Sequence, residues 1–293
     1  MYYGLAFLVL AAFGSYGVFV RWSGLAGKEQ YIVFWRVLIG LAIVVPFILI
    51  TRQSRQLKIN SHYVLLFATG VVVALQAYTG SKAMNLLPVS DALFIIYLAP
   101  VLVAASAPLV LKEKLEGGTI AALAIAIGGL AVISFAGRGG SAKSLNMSGV
   151  LFALVAAVCY AVMILTIKIL RESVPALAVY FYQALTVLVV TLPFAGWRLP
   201  PGITGKGWAA LFVIGAFHSA LLSLAYVYIA KRVKAQHLGV ISYVEPVSST
   251  LFAFLLLGET PGWQNYVGGA LIIAAGIIVL MRGTVAPVPD ERL

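Results

Sequence analysis

Charged residues and cysteines are both scarce in this chain of 293 residues. Only 10% of the residues are charged and 62% are hydrophobic, whereas a soluble domain carries roughly 25% charged residues. A soluble protein could not bury so much apolar surface, so lipid must form part of the surroundings. The single cysteine, Cys159, excludes an intramolecular disulfide and a cysteine-rich metal site.

Motifs for nucleotide hydrolysis and for zinc-dependent hydrolysis are absent. The sequence contains no G-x-x-x-x-G-K-[ST] phosphate-binding loop and no H-E-x-x-H motif. No predicted span holds a pair of carboxylates that could act as acid and base. The sequence therefore predicts a protein that is not an enzyme and that needs no cofactor and no metal ion.

The formal charge of +11 does not indicate a nucleic-acid partner. The basic residues stand in short clusters between apolar runs, and not on one stripe or tail. Such clusters orient a membrane protein and contact anionic lipid head groups. With a cytoplasmic N-terminus, the inside segments hold twelve basic residues and the outside segments six, although Arg21 and Lys28 after the first run point the other way. We expect both termini in the cytoplasm.

Ten apolar runs are long enough to be candidates for membrane-spanning helices, each of which needs about 20 apolar residues. The first run starts at once and is predicted to be a retained span, because no basic segment and no small-residue cleavage site mark a signal peptide. The runs are 3–22, 31–50, 63–86, 90–111, 118–136, 148–169, 175–195, 207–229, 237–257 and 263–281.

Two stretches of 17 residues, 97–113 and 243–259, repeat each other without a gap. Seven positions are identical: Tyr97/Tyr243, Pro100/Pro246, Val101/Val247, Ala107/Ala253, Leu109/Leu255, Leu111/Leu257 and Glu113/Glu259. Matches at almost the same spacing recur in other runs, which indicates a duplication. The sequence thus predicts two five-helix repeats, at 1–140 and 146–282, followed by a disordered tail at 283–293.

An odd number of spans per repeat places the second repeat in the membrane upside down relative to the first. Secondary transporters are commonly built from such inverted repeats, with a substrate site near the midplane between them. The two halves then exchange conformations and open the site to one side or the other. The alternative is an old duplication without alternating access, as in a channel or a membrane scaffold.

The repeated proline and glutamate resemble a known family. Ten spans in two inverted sets of five, with Pro100 and Glu113 in one and Pro246 and Gly258-Glu259 in the other, resemble the EamA family of the drug/metabolite transporter superfamily. The glycines after them, Gly128-Gly129, Gly268-Gly269 and Gly276, are similar too. The first repeat departs from the pattern at Lys112-Glu113, where Gly-Glu is usual. The resemblance implies a bacterial inner-membrane exporter of small metabolites.

Ionisable residues inside spans are costly and mark functional positions. Lys82 could bind a substrate carboxylate or extend to the interface. His218 could line a cavity, where its titration would make transport proton-sensitive, or join two helices by a hydrogen bond. Glu245, before Pro246, could meet an ammonium group or a proton, or it could pair with Arg36, for which a structural role is favoured.

Tyrosines in the middle of spans suit the wall of a cavity, because each offers an apolar ring and a hydroxyl. They could stack on a planar ring, whereas tyrosines near span ends form interfacial belts. Helix-breaking roles are predicted for Pro100 and Pro246. The predicted substrate-binding residues are Tyr16, Gln76, Tyr78, Lys82, Tyr97, Tyr160, His218, Tyr226, Tyr243 and Glu245.

The function predicted from these features is export of small metabolites by alternating access around a midplane cavity. Amino acids are the favoured cargo, and aromatic ones are favoured by the resemblance and by the tyrosines. Sugar phosphates or nucleotide sugars would need several cations in the cavity, and cationic drugs would need acidic ones. A channel or scaffold is the alternative of another class. The expected partners are a small-molecule substrate and membrane lipids, without nucleic acid, and the protein is expected to be monomeric.

Overall fold

The computed structural model describes residues 2–25, 27–59, 62–87, 89–112, 117–135, 146–170, 173–195, 198–258 and 260–282. Within these ranges the protein is helical and contains no strand. The predicted tail 283–293 lies outside the described residues, as do Glu113 and Glu259 of the repeated motif.

The helices follow one another with short connections. The first group is α1 (Tyr2–Phe13), α2 (Tyr16–Ser23), α3 (Glu29–Ile50), α4 (Tyr63–Leu86), α5 (Val89–Ile96), α6 (Ala99–Val110) and α7 (Gly117–Phe135), with a short 3-10 helix at Gln53–Leu57. The second group is α8 (Met147–Ile169), α9 (Ala176–Ala195), α10 (Gly205–Val213), a π-helical segment (Ile214–Leu222), α11 (Ser223–Ala230), α12 (Ala235–Ser242), α13 (Val244–Leu257) and α14 (Trp263–Arg282).

Seven helical stretches of the described chain are long and apolar enough to cross a membrane. They include α3, α4, α8 and α9 as single helices, and three stretches that consist of consecutive helices. The remaining predicted spans coincide with shorter apolar helices at Ala99–Val110, Gly117–Val132 and Trp263–Val279. The chain is thus an all-helical, multi-pass membrane protein, and the arrangement as ten inverted spans stays a prediction.

The outer surface of the helices is apolar. Large hydrophobic side chains such as Val64, Leu109 and Met281 are more than four-fifths exposed. In water such a surface would promote aggregation, but in a bilayer it is the surface that lipid tails cover. Most of the apolar residues that face inward form one large core that joins helices from both halves of the chain, and two smaller clusters lie beside it.

Two of the helical stretches are interrupted next to a proline. Pro100 and Pro246 have no N–H, so the carbonyl four residues earlier loses its helical partner. The interruption between α5 and α6 falls at Tyr97-Leu98, and the one between α12 and α13 falls at Tyr243. There the backbone forms tighter turns, from Leu98 N to Ile95 O at 3.0 Å and from Tyr243 N to Val240 O at 3.2 Å.

Glycines allow close backbone contact where the helices cross. A Cβ atom on Gly14, between α1 and α2, would lie 2.1 Å from Ser248 Oγ and 2.8 Å from Glu245 O. A Cβ atom on Gly129 of α7 would lie 2.6 Å from Gly268 O of α14. Small residues permit this approach in membrane helices. Gly14 thereby fixes the interruption of the first stretch against the beginning of α13.

Candidate functional site

A cavity of about 350 Å³ lies between the helices of both halves. Its walls come from α1 to α5 in the first half and from α8, α9, the π-helical segment, α11 and α13 in the second. The interruptions at Tyr97 and before Glu245 border it, and Tyr16 lines it just after the interruption at Gly14-Ser15. Helix interruptions leave backbone and polar groups available at membrane depth, where a binding site can use them.

Seven of the ten residues predicted to bind substrate line this cavity: Tyr16, Gln76, Tyr97, Tyr160, His218, Tyr226 and Glu245. They are brought together from α2, α4, α8, α11, α13, the π-helical segment and the interruption after α5. Tyr78, Lys82 and Tyr243 are not among the lining residues.

Helical periodicity explains why Lys82 and Tyr78 lie outside the cavity. The lining residues of α4 recur at helical spacing as Gln76, Gly80 and Met84. Tyr78 and Lys82 fall on the other side of the helix, where Tyr78 is 51% exposed and Lys82 is exposed as well. The structure therefore corrects the expected placement of both side chains in the cavity.

Tyr243 is fully buried and joins the two proline-associated interruptions. Its hydroxyl donates a hydrogen bond of 2.6 Å to the carbonyl oxygen of Tyr97. The two rings lie 5.8 Å apart at an angle of 34°. The hydroxyl of Tyr243 is thus used inside the protein, and the structure corrects its expected placement in the cavity wall.

Glu245 is the one acidic side chain among the described lining residues. Its carboxylate hydrogen-bonds with the hydroxyl of Tyr97 and lies close enough to Tyr160 and Tyr226 for an electrostatic interaction, and all three tyrosines also line the cavity. These tyrosines come from three different helical stretches, and Glu245 is placed among them by the interruption before α13. The group offers a negative charge surrounded by aromatic rings, a combination that suits an organic ammonium ion.

Arg36 forms a second charged group in the cavity, apart from Glu245. Its Nη1 donates a hydrogen bond of 3.3 Å to Tyr16 Oη, and its guanidinium lies 5.6 Å from the centre of the Tyr16 ring. It also interacts electrostatically with Tyr180 and His218. Within the described residues, no ion pair joins Arg36 to Glu245, whose hydrogen-bond partner is the Tyr97 hydroxyl. The alternative of an Arg36–Glu245 pair is wrong for this conformation.

His218 lies in the middle of the π-helical segment, a geometry often found at functional sites. The residue is 2% exposed, and its Nε2 lies 3.0 Å from Ser15 Oγ at the interruption after α1. The rings of Tyr16 and Phe19 pack against it edge-on at 5.6 and 5.8 Å. His218 therefore combines both predicted roles, because it joins two helices and also lines the cavity.

Six polar or charged lining residues were not predicted to bind substrate: Arg36, Ser81, Tyr180, Gln183, Ser219 and Ser223. Arg36 and Gln183 are the two that matter most for the chemistry of the site. Arg36 was given a structural role, although a cation inside a span is itself a signal for function. Gln183 of α9 was not singled out, because an isolated glutamine in an apolar run carries no motif. It is 7% exposed and lines the cavity together with Arg36.

The structure is that of a helical membrane protein whose largely apolar cavity carries a few charged and polar groups. Comparison with known proteins identifies its family. The model of the EamA-like transporter family matches the sequence twice, at residues 1–135 and 147–282. The chain belongs to the EamA-like transporter family.

Several curated relatives are named as transporters. An uncharacterised transporter of Archaeoglobus fulgidus is 27% identical over 286 residues, which is 96% of this chain and 97% of the relative. A probable terminal-alkyne amino-acid exporter of Streptantibioticus cattleyicolor is 30% identical over 73% of each chain. A biotin transporter of Escherichia coli is 24% identical over 94% of this chain and 90% of its own length.

A solved structure has the same fold. It superimposes with a TM-score of 0.80, covers 96% of both chains and is 20% identical in sequence. At this identity the likeness shows the fold alone.

Proposed function

We propose that this protein is a secondary transporter that exports small amino-acid-like metabolites, with aromatic amino acids as the favoured cargo. One observation carries the proposal: a guanidinium and a carboxylate line the same cavity without pairing with each other. Two opposite charges inside a membrane are costly unless something neutralises each of them. A zwitterion neutralises both at once.

In this proposal each of the two charges binds one end of the substrate. Arg36 takes the carboxylate, the role predicted for Lys82, because a guanidinium offers a planar fork of donors that matches a carboxylate. Glu245 takes the ammonium, and the rings of Tyr97, Tyr160 and Tyr226 surround it. These rings and Phe13 also offer apolar area for a planar side chain.

The two-fold organisation of the chain supports alternating access. The family model matches each half separately, and the interruptions at Tyr97 and Tyr243 lie 146 residues apart. These facts support two inverted five-helix repeats, at 1–140 and 146–282, around a midplane site. In this proposal both termini face the cytoplasm of a bacterial cell and the protein acts in the inner membrane.

The names of relatives support an amino-acid substrate and also indicate biotin as the main alternative substrate. One relative is named as an amino-acid exporter and another as a biotin transporter. The preference for aromatic amino acids further follows the resemblance to the aromatic amino-acid exporter YddG. Sugar phosphates are a weaker proposal, because Arg36 is the one lysine or arginine among the described lining residues and a phosphate group is usually held by several donors of positive charge.

Exchange in proteoliposomes tests the proposed function. Vesicles are loaded with unlabelled phenylalanine, and uptake of labelled phenylalanine is measured against tryptophan, leucine, biotin, a sugar phosphate and a cationic dye. We expect saturable uptake that internal phenylalanine stimulates and tryptophan inhibits. Absence of phenylalanine exchange by folded protein would contradict the amino-acid assignment, and flux without saturation or trans-stimulation would indicate a channel.

A further inference from the structure

We propose that Arg36 and Gln183 together form a carboxylate-binding subsite, in which Gln183 is a specificity-determining residue. The inference rests on the proposed transport function and names the groups that recognise one end of its substrate. It starts from buried donors that the protein leaves unused.

Four buried polar atoms of cavity-lining side chains have no hydrogen-bond partner among the described residues: Arg36 Nε, Gln183 Nε2, His218 Nδ1 and Tyr226 Oη. Of these, Arg36 Nε and Gln183 Nε2 can act only as donors. Gln183 is more than nine-tenths buried. A buried donor without an acceptor is destabilising, and nearly all such groups in folded proteins are satisfied. At the wall of a cavity, the missing acceptor is provided by whatever occupies the cavity.

The packing of α3 against α9 places the two donors on facing surfaces. A Cβ atom on Gly40 of α3 would lie 3.2 Å from Ser219 Cβ of the π-helical segment and 3.4 Å from Tyr180 Oη of α9, so Gly40 and Tyr180 are within contact distance. Arg36 lies one turn from Gly40 on the same face, and Gln183 lies one turn from Tyr180. The guanidinium of Arg36 also interacts with Tyr180. Both donors therefore border the same part of the cavity.

The chemistry of this pair fits a carboxylate better than other acceptors. Arg36 provides a full positive charge, and the Gln183 amide provides a neutral donor beside it. Glu245 does not compete for them, because among the described residues its hydrogen bond is to Tyr97. The single positive charge of Arg36, with the neutral amide beside it, neutralises a carboxylate, which carries one negative charge. It does not neutralise a phosphate group with two negative charges.

Binding to purified full-length protein tests the subsite without depending on transport. Three probes share one ring: phenylalanine carries both charges, 3-phenylpropionate lacks the ammonium, and phenethylamine lacks the carboxylate. In titration calorimetry we expect Gln183→Met to weaken binding of both carboxylate probes about tenfold, the loss of one good hydrogen bond to a charged group. Gln183→Glu should weaken them further by repulsion, and phenethylamine binding should change less than about twofold.

Thr191→Val is the matched control on the same helix. Thr191 bonds to the carbonyl of Val187 in its own helix and does not line the cavity, so this variant should bind all three probes as the wild type does. Three results would overturn the subsite: wild-type affinity for 3-phenylpropionate in Gln183→Met, equal weakening of phenethylamine, or no binding of either carboxylate by the wild type. If the wild type binds them but does not exchange phenylalanine, the proposed function fails and the subsite stands.

Discussion

The interruption between α5 and α6 and the one between α12 and α13 share a sequence and a backbone but differ in chemistry. Both have a tyrosine at the interruption and a proline three residues later. In the first, the residue before the proline is Ala99, which is fully buried. In the second it is Glu245, which lines the cavity. A repeated backbone feature thus carries a charge in only one of its two copies.

The two tyrosines diverge as well. Tyr97 lines the cavity and interacts with Glu245, whereas Tyr243 is buried behind it and donates to the Tyr97 carbonyl. One copy contributes to the site and the other holds that copy in place. Duplication therefore produced two equivalent helix interruptions, and tertiary packing gave different roles to their equivalent residues.

The largest expected effect comes from displacing the beginning of α13, which carries Glu245, away from Gly14. In Gly14→Val, the new side chain would collide with Ser249 N and Glu245 O, which an added Cβ would approach to 2.6 and 2.8 Å. We expect loss of monodisperse protein and of phenylalanine exchange. Gly17→Ala is the control, because its Cβ would meet nothing closer than 4.0 Å. Wild-type yield and exchange in Gly14→Val would show that this contact does not hold Glu245 in place.

Removing the charge that distinguishes the two copies should have the next largest effect. Glu245→Gln keeps the shape of the side chain, and we expect about tenfold to a hundredfold weaker binding of phenylalanine, because a hydrogen bond to a charged group contributes about 1.5–3 kcal/mol. Binding of 3-phenylpropionate should not fall. Glu29→Gln, at a carboxylate that accepts from Gly27 N outside the cavity, should match the wild type. Equal loss for both probes would assign Glu245 a structural role.

The two tyrosines should respond to the loss of their hydroxyls in opposite ways. Tyr243→Phe leaves the buried Tyr97 carbonyl without its donor, so we expect about 1 kcal/mol lower stability with nearly unchanged affinity for phenylalanine. Tyr97→Phe removes a contact to Glu245 and should lower affinity a few-fold with a smaller loss of stability. Thermal unfolding in detergent and titration calorimetry measure the two quantities. The same response from both variants would remove the distinction between the copies.

The smallest effect is expected for substitution of Lys82, a cation of α4 that does not line the cavity. Because Lys82 is exposed on the outer side of α4, Lys82→Ala should exchange phenylalanine at the wild-type rate, whereas Arg36→Gln should not. A selective loss of exchange in Lys82→Ala would mean that another conformation brings Lys82 into the path.

Much of this protein follows from its sequence. Scarce charge and long apolar runs require helices in lipid, because only helices or closed barrels satisfy the backbone there. Repetition at constant spacing located Pro100 and Pro246, and mid-span tyrosines together with Glu245 and His218 located most of the polar wall. Each of these conclusions depends on composition or on local geometry, which the order of residues determines directly.

Only the tertiary structure decided which face of each helix meets the cavity. Lys82 and Gln76 both lie in α4. Because the sequence of α4 has no distinct polar face, it does not indicate which of the two side chains faces inward. Helix packing decides that Arg36 of α3 and Gln183 of α9 line the same cavity. The packing of two equivalent interruptions decides that Tyr97 faces the site while Tyr243 supports it. In a membrane both sides of a helix are apolar, so the sequence by itself determined the helices and their repetition, and helix packing determined the site.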